Sequence, residues 1–127
     1  MDSAIAALAD RIRTAASDGS PLRPRGGGSK DFYGQAGLGE VLDTSRLRGI
    51  LAYDPSELVV TVGAGTPLAE LEGVLAERGQ CLAFEPPHFA WSQPTPTSMA
   101  TVGGMVAAGL SGPARASVGG VRDYVLG

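Results

Sequence analysis

Residues 21–30 read Pro21-Leu22-Arg23-Pro24-Arg25-Gly26-Gly27-Gly28-Ser29-Lys30, an extended segment that runs straight into three consecutive glycines. A residue before proline is pushed out of the α region, so Pro21 to Pro24 is predicted as a short strand. The glycines carry no side chains, and their amides can curl around a large anion such as a phosphate. Ser29 adds a hydroxyl donor, while Arg25 and Lys30 add positive charge. The GxxxxGK spacing of a Walker loop is absent. The alternative for this segment alone is a flexible surface turn, which is the lesser reading.

A second glycine cluster, TVGGMVAAGLSGP at Thr101–Pro113, opens a predicted helix near Val102 with Met105, Val106 and Leu110 on one side. Helix starts leave N–H groups unpaired and carry partial positive charge, which suits a diphosphate. The alternative is close packing, since small residues let backbones approach. Ser111, Arg115 and Ser117 add polar groups just beyond. Two such clusters beside apolar segments point to a ligand with a phosphate-bearing middle and an extended body, read here as a flavin nucleotide. Gly27→Val or Gly104→Val is expected to abolish its binding while leaving helix content largely intact.

The remaining elements follow from periodicity and turn chemistry. A helix is predicted from Ser3, as N-cap, to Ala16, with Ile5, Leu8, Ala9 and Ile12 on one face and Asp18-Gly19 ending it. Val41-Leu42-Asp43 reads as a strand, and Gly49–Tyr53 and Glu57–Val62 as a hairpin around Asp54-Pro55-Ser56. A helix then starts with Thr66 as N-cap and Pro67 at its first position, burying Leu68, Leu71, Val74 and Leu75 and stopping at Gly79. Cys81–Phe84 reads as another strand, with Cys81 a small buried hydrophobe. Pro86, Pro87, Pro94 and Pro96 exclude regular structure from Glu85 to Ala100. Gly63-Ala64-Gly65 lacks the third glycine of a dinucleotide fingerprint, because Leu68 stands in its place, and Glu85 meets the ribose spacing by count only. A tight strand-to-helix turn is the better account.

Composition narrows the classes further. The 127 residues fit one domain, with 19 glycines that cluster rather than repeat. A net charge of -3 argues against nucleic acid as a partner. The N-terminal stretch is broken by Asp2, Asp10, Arg11 and Arg13, unlike a secretory signal, and nothing approaches the roughly 18 apolar residues of a membrane span. One cysteine cannot staple the fold, so a cytoplasmic location is expected. His88, in EPPHFAW, reads as a surface or structural group before a general base, and no Cys/His spacing suggests a metal.

In order, PLRPRGGGSKDFYG, LDTSRLRGILAYDPSELVVTVGAGTPLAELEGVLAERG, FEPPH and TVGGMVAAGLSGPARASVGGVRDYVLG resemble the FAD-binding domain of the vanillyl-alcohol oxidase and cresol methylhydroxylase (PCMH-type) superfamily. The resemblance runs from about Pro21 to Gly127 and is nearest to flavin subunits of bacterial complexes that oxidise glycolate. It implies an α+β fold over residues 1–127, built as two small α/β subdomains with the second incomplete, so the chain looks like the N-terminal part of a longer family protein. It implies that Arg25, Gly26, Gly27, Gly28 and Ser29 form the pyrophosphate loop. Thr101, Gly103 and Gly104 would meet diphosphate and flavin, with Gly109, Gly112, Ser117 and Gly119 beside the isoalloxazine and Pro87 where the chain passes it. Ser29, where some members carry a histidine, implies non-covalent FAD. The implied activity is hydride transfer from the α-carbon of a small 2-hydroxy acid, with a homologous flavin subunit and an iron–sulfur subunit as partners, peripheral to the inner membrane. The alternatives are a non-catalytic assembly module, or the same fold acting on D-lactate or another 2-hydroxy acid. No catalytic base is assignable.

Overall fold

The structure is a computed structural model that describes residues 1–90 and 99–127; Pro94 and Pro96 lie outside the described residues. Helices and strands mix in an α+β arrangement: α1 (Asp2–Asp18), β1 (Leu22–Arg25), β2 (Glu40–Asp43), β3 (Ile50–Asp54), β4 (Val59–Val62), α2 (Leu68–Ala76), α3 (Val102–Ala108), α4 (Arg115–Val118) and a 3-10 turn at Val121–Asp123.

Helix α1 stops where expected, because Gly19 takes a left-handed φ of 66° and returns its amide to the Ala15 carbonyl. Its start differs. Met1 is the N-cap, and Ser3 already lies inside the helix. Its apolar face is also largely uncovered, with Ile5 at 51% and Ile12 at 49% exposure and Ala15 alone buried. An Arg11–Glu40 ion pair ties the helix to β2.

Strands β1 and β2 pair in parallel, Leu22 with Glu40 through Arg25 with Asp43. Parallel neighbours need a crossover of about a dozen residues, and here the glycine-rich run from Gly26 to Gly39 supplies it without a helix. Strands β3 and β4 form the predicted hairpin, with Asp54 facing Val59 and an irregularity between Ile50 and Ala52. Its turn is held by Asp54 Oδ1, which accepts from Ser56 N at 2.9 Å, Ser56 Oγ at 2.6 Å and Glu57 N at 3.2 Å.

The main core gathers Leu68, Leu71 and Leu75 of α2 with Phe84, Ala100, Val102, Met105 and Val121, flanked by Tyr53, Val60, Val62 and Leu82. Of the predicted stripe on α2, Leu68, Leu71 and Leu75 are thus inside, whereas Val74 is only half-buried. The cap is shifted by one residue, however. Pro67, at φ -55° and ψ 133°, is the N-cap, and the fully buried Thr66 turns its Oγ1 to accept the Gly49 amide at 2.9 Å instead. Val106 is exposed rather than packed, and α3 ends at Gly109 before Leu110. Cys81–Phe84 is not a strand: the Leu82 carbonyl accepts from Glu85 N in a turn, and among the described residues no strand is hydrogen-bonded to the segment. Cys81 is exposed, not buried.

Candidate functional site

Four passages of chain converge on the end of β1. Thr44 donates its amide (3.0 Å) and its hydroxyl (3.2 Å) to the Arg25 carbonyl, fixing where the strand releases into Gly26. Gly65 donates to Leu47 O at 2.7 Å and Gly63 to Gly49 O at 2.8 Å, so the strand-to-helix turn lies against residues 44–49. Pro67 then bridges Thr101 in antiparallel fashion, with Leu68 N to Ala100 O at 2.8 Å and Val102 N to Thr66 O at 2.9 Å. That bridge carries the second glycine cluster to the first. A Cβ on Gly26 would overlap the Thr101 hydroxyl, and one on Gly27 would overlap the Met99 carbonyl oxygen. The two clusters, 75 positions apart by Gly26 and Thr101, therefore touch directly.

Within the first loop the amides of Gly26, Gly27 and Gly28 donate to no group among the described residues. Half-buried donors of this kind are what a phosphate oxygen needs. Ser29 is buried, and its Oγ lies 3.5 Å from Lys30 Nζ. Arg25 behaves otherwise than expected of a phosphate ligand. Its Nε donates to both Asp31 carboxylate oxygens, at 3.0 and 3.2 Å, and its Nη2 donates to Oδ2 at 2.6 Å. Gly28, at φ 78°, leaves the space that the guanidinium fills beneath the loop.

The start of α3 is different. Gly103 N donates to Ala64 O at 2.7 Å, Gly104 N to Thr101 Oγ1 at 3.2 Å, and Met105 N to Thr101 O at 2.9 Å. With Val102 N on Thr66, every amide of this first turn is spent inside the protein. The unpaired donors that the sequence promised here do not exist, and close packing on Ala64 is the geometry found. The first loop fits a diphosphate through its backbone, whereas the second buttresses it.

The other candidates gather elsewhere. Gly109 closes α3 at φ 64°, Gly112 donates to Phe84 O at 2.9 Å, and Gly119 ends α4 at φ 87°. Ser117 is exposed on α4, and Pro87 is half-buried in an irregular run between Glu85 and Phe89, both of which have positive φ. Of these, Gly109 lines a cavity of about 500 Å³, together with Val106, Arg115, Gly120, Val121, Arg122 and Val125. His88 lies apart, its Nε2 2.8 Å from Glu72 Oε2 on α2, which ties the EPPHF segment to the core helix. Among the described residues no cluster of His, Cys, Asp and Glu could hold a metal ion. Sequence reading missed Asp31, Met99 and Ala64, each of which acts only through contacts distant or reversed along the chain. It also left Phe89 unnoticed, whose ring lies 5.8 Å from Lys30 Nζ and 5.3 Å from Phe32.

Charge around the loop is set by these contacts. The Arg25 hydrogen bonds hold the Asp31 carboxyl below the usual carboxylate range, and Asp31 raises Arg25 in return. Hydrogen bonds from Ser45 and Ser56 likewise depress Asp43 and Asp54. A carboxylate with a depressed folded pKa stabilises the fold fully above its unfolded value of about 3.9 and loses that contribution as pH falls through the folded value. The melting temperature is therefore expected to stay level between about pH 5 and 8 and to fall below about pH 4. Asp31→Asn should lower it at neutral pH and flatten the acid limb; a variant with the parent's full acid sensitivity would contradict the clasp.

A glycine loop whose amides meet no acceptor among the described residues, braced by a second glycine segment, has the kind of donor set that a nucleotide phosphate takes. The chain matches the FAD binding domain family over residues 3–127, and it belongs to that family. Its cofactor is accordingly FAD. Among curated proteins it is 47% identical over 121 residues (95% of this chain, 33% of the relative) to glycolate oxidase subunit GlcE of Escherichia coli strain K12. It is also 35% identical over 124 residues, 92% of this chain and 12% of the relative, to D-2-hydroxyglutarate dehydrogenase of Pseudomonas putida. The chain thus spans 33% of the length of the first relative and 12% of the second. No solved structure gives a significant match.

Proposed function

We propose that the chain is the FAD-cradling part of an oxidoreductase acting on small 2-hydroxy acids, glycolate foremost. The observation that carries this reading is the 47% identity to a glycolate oxidase subunit over 95% of the chain, the glycine cradle included. In this reading residues 1–127 act as one FAD-binding domain of two small α/β subdomains. The amides of Gly26, Gly27 and Gly28 and the Ser29 hydroxyl hold the diphosphate oxygens without a covalent link. Thr101, Gly103 and Gly104 form the wall behind that loop, and Arg25 keeps the loop in shape. Pro87, Gly109, Gly112, Ser117 and Gly119 flank the isoalloxazine. When bound, FAD supplies the acceptor for the hydride of the substrate α-carbon. The chain's own residues bind and orient it and exclude water. A second flavin subunit and an iron–sulfur subunit complete the assembly at the inner membrane surface; no helix among the described residues is long and apolar enough to cross a membrane.

The relationship to a D-2-hydroxyglutarate dehydrogenase favours a second substrate of the same class. Titrating the chain with FAD, by flavin fluorescence and visible absorbance, is expected to give saturable one-to-one binding. A folded chain that leaves both signals unchanged would sink the cradle reading. Glycolate, D-lactate and D-2-hydroxyglutarate, added to the assembled complex, then divide the substrates by which one bleaches the flavin band.

A further inference from the structure

Resting on the cradle reading above, we infer that Lys30 is the cation that meets the FAD diphosphate, and that Arg25 is a positioning residue withdrawn from it. Sequence alone gives both residues the same role, since they flank the loop symmetrically. The geometry separates them. Arg25 makes three hydrogen bonds to Asp31, so the loop's first cation already has a carboxylate counter-charge. A guanidinium held in this two-armed way loses geometry and charge balance if it turns to a second anion.

Lys30 has no carboxylate within ion-pair distance among the described residues. Its ammonium lies 3.5 Å from the buried Ser29 hydroxyl and 5.8 Å from the centre of the Phe89 ring. Neither neighbour neutralises a charge. The side chain is half-buried, and burial alone pulls its pKa below the usual lysine value. A lysine in this state costs stability while protonated, a cost relieved as pH rises through its lowered pKa or when an anion arrives. Asp31 cancels Arg25, so Lys30 is left to meet an anion held by the adjacent undonated amides. The Phe89 ring flanks the ammonium, and Phe32 packs edge-on against Phe89 in turn. Lys30 is thus placed for function at some expense to the free fold.

That trade gives the test its signature. Lys30→Gln is expected to weaken FAD binding about tenfold or more, the range of a charge-assisted hydrogen bond. It should also reduce the dependence of affinity on added salt. The melting temperature of the FAD-free chain should stay level or rise. Lys30→Arg should recover most of the affinity, while Arg25→Gln should lower the FAD-free melting temperature. Equal affinity of Lys30→Gln and the parent overturns the assignment. So does a loss that Lys30→Arg fails to recover, or one accompanied by a lower FAD-free melting temperature, which would make Lys30 structural. Failure of the parent chain itself to bind FAD is read first and overturns the cradle, and this assignment with it.

Discussion

Gly27→Ala, the smallest possible side-chain addition, is expected to abolish detectable FAD binding and to destabilise the chain. The Cβ of residue 27 points straight at the Met99 carbonyl oxygen and overlaps it. Because the obstacle is backbone, no rotamer can relieve the collision, and either the loop or residues 99–101 must move. Overpacking of this kind costs about 1–3 kcal/mol, and the movement falls on the three neighbouring amides proposed to hold the diphosphate. The control is Gly104→Ala. Among the described residues its Cβ would find only Thr101 Oγ1, at 3.2 Å, and it lies inside α3, where alanine is about 1 kcal/mol more favourable than glycine. Helical preference and the slight crowding of the Thr101 cap then oppose each other, so stability should change little. The two glycines that looked equivalent in sequence are therefore expected to part company. Parent-like affinity and melting temperature in Gly27→Ala would show that the first loop does not rest on Met99.

The sequence displays the local determinants of this fold well. Gly19 ends α1 because only a residue at ease with positive φ closes that turn, and Asp54 folds the hairpin through bonds to residues two and three places on. Leu68, Leu71 and Leu75 share one face of α2 by spacing alone. What a single chain conceals is competition between local and distant partners. Thr66 has the composition of a helix cap, yet its hydroxyl is spent on Gly49, 17 residues away. Leu82, Ala83 and Phe84 have strand composition, but no strand among the described residues takes up their backbone, and the Phe84 carbonyl goes to Gly112 instead. The candidate site follows the same rule. The glycines are conspicuous, but whether their amides are open or spent depends on Ala64, Thr66 and Thr101, as Arg25's charge depends on Asp31.

Phe84→Ala carries the largest expected loss of stability. The residue is 1% exposed and belongs to the cluster formed by α2, α3 and Val121. Truncating a buried phenylalanine costs about 3–5 kcal/mol, of a total stability that is about 5–15 kcal/mol for a domain. In a chain of this size that is a fall of roughly 10–20 °C in melting temperature. The position matters beyond its volume. The Phe84 ring lies 5.1 Å from that of Tyr124, and its carbonyl holds the Gly112 amide. It thereby joins the α2 core to the run from Gly109 to Tyr124, which carries the glycines proposed to flank the isoalloxazine. The Gly26–Gly28 loop is tied instead through Thr101, Met99 and Thr44. Below its melting temperature, then, Phe84→Ala should still bind FAD, more weakly, with the flavin ring less shielded and its fluorescence less altered than in the parent. Phe84→Leu, which keeps most of the buried volume, should lose less than half as much stability. A fall of only a few degrees in Phe84→Ala would mean that this cluster is not what holds the run from Gly109 to Tyr124 against the α2 core. A complete loss of FAD binding in a variant still folded would mean that the 109–124 wall, rather than the first loop, supplies most of the affinity.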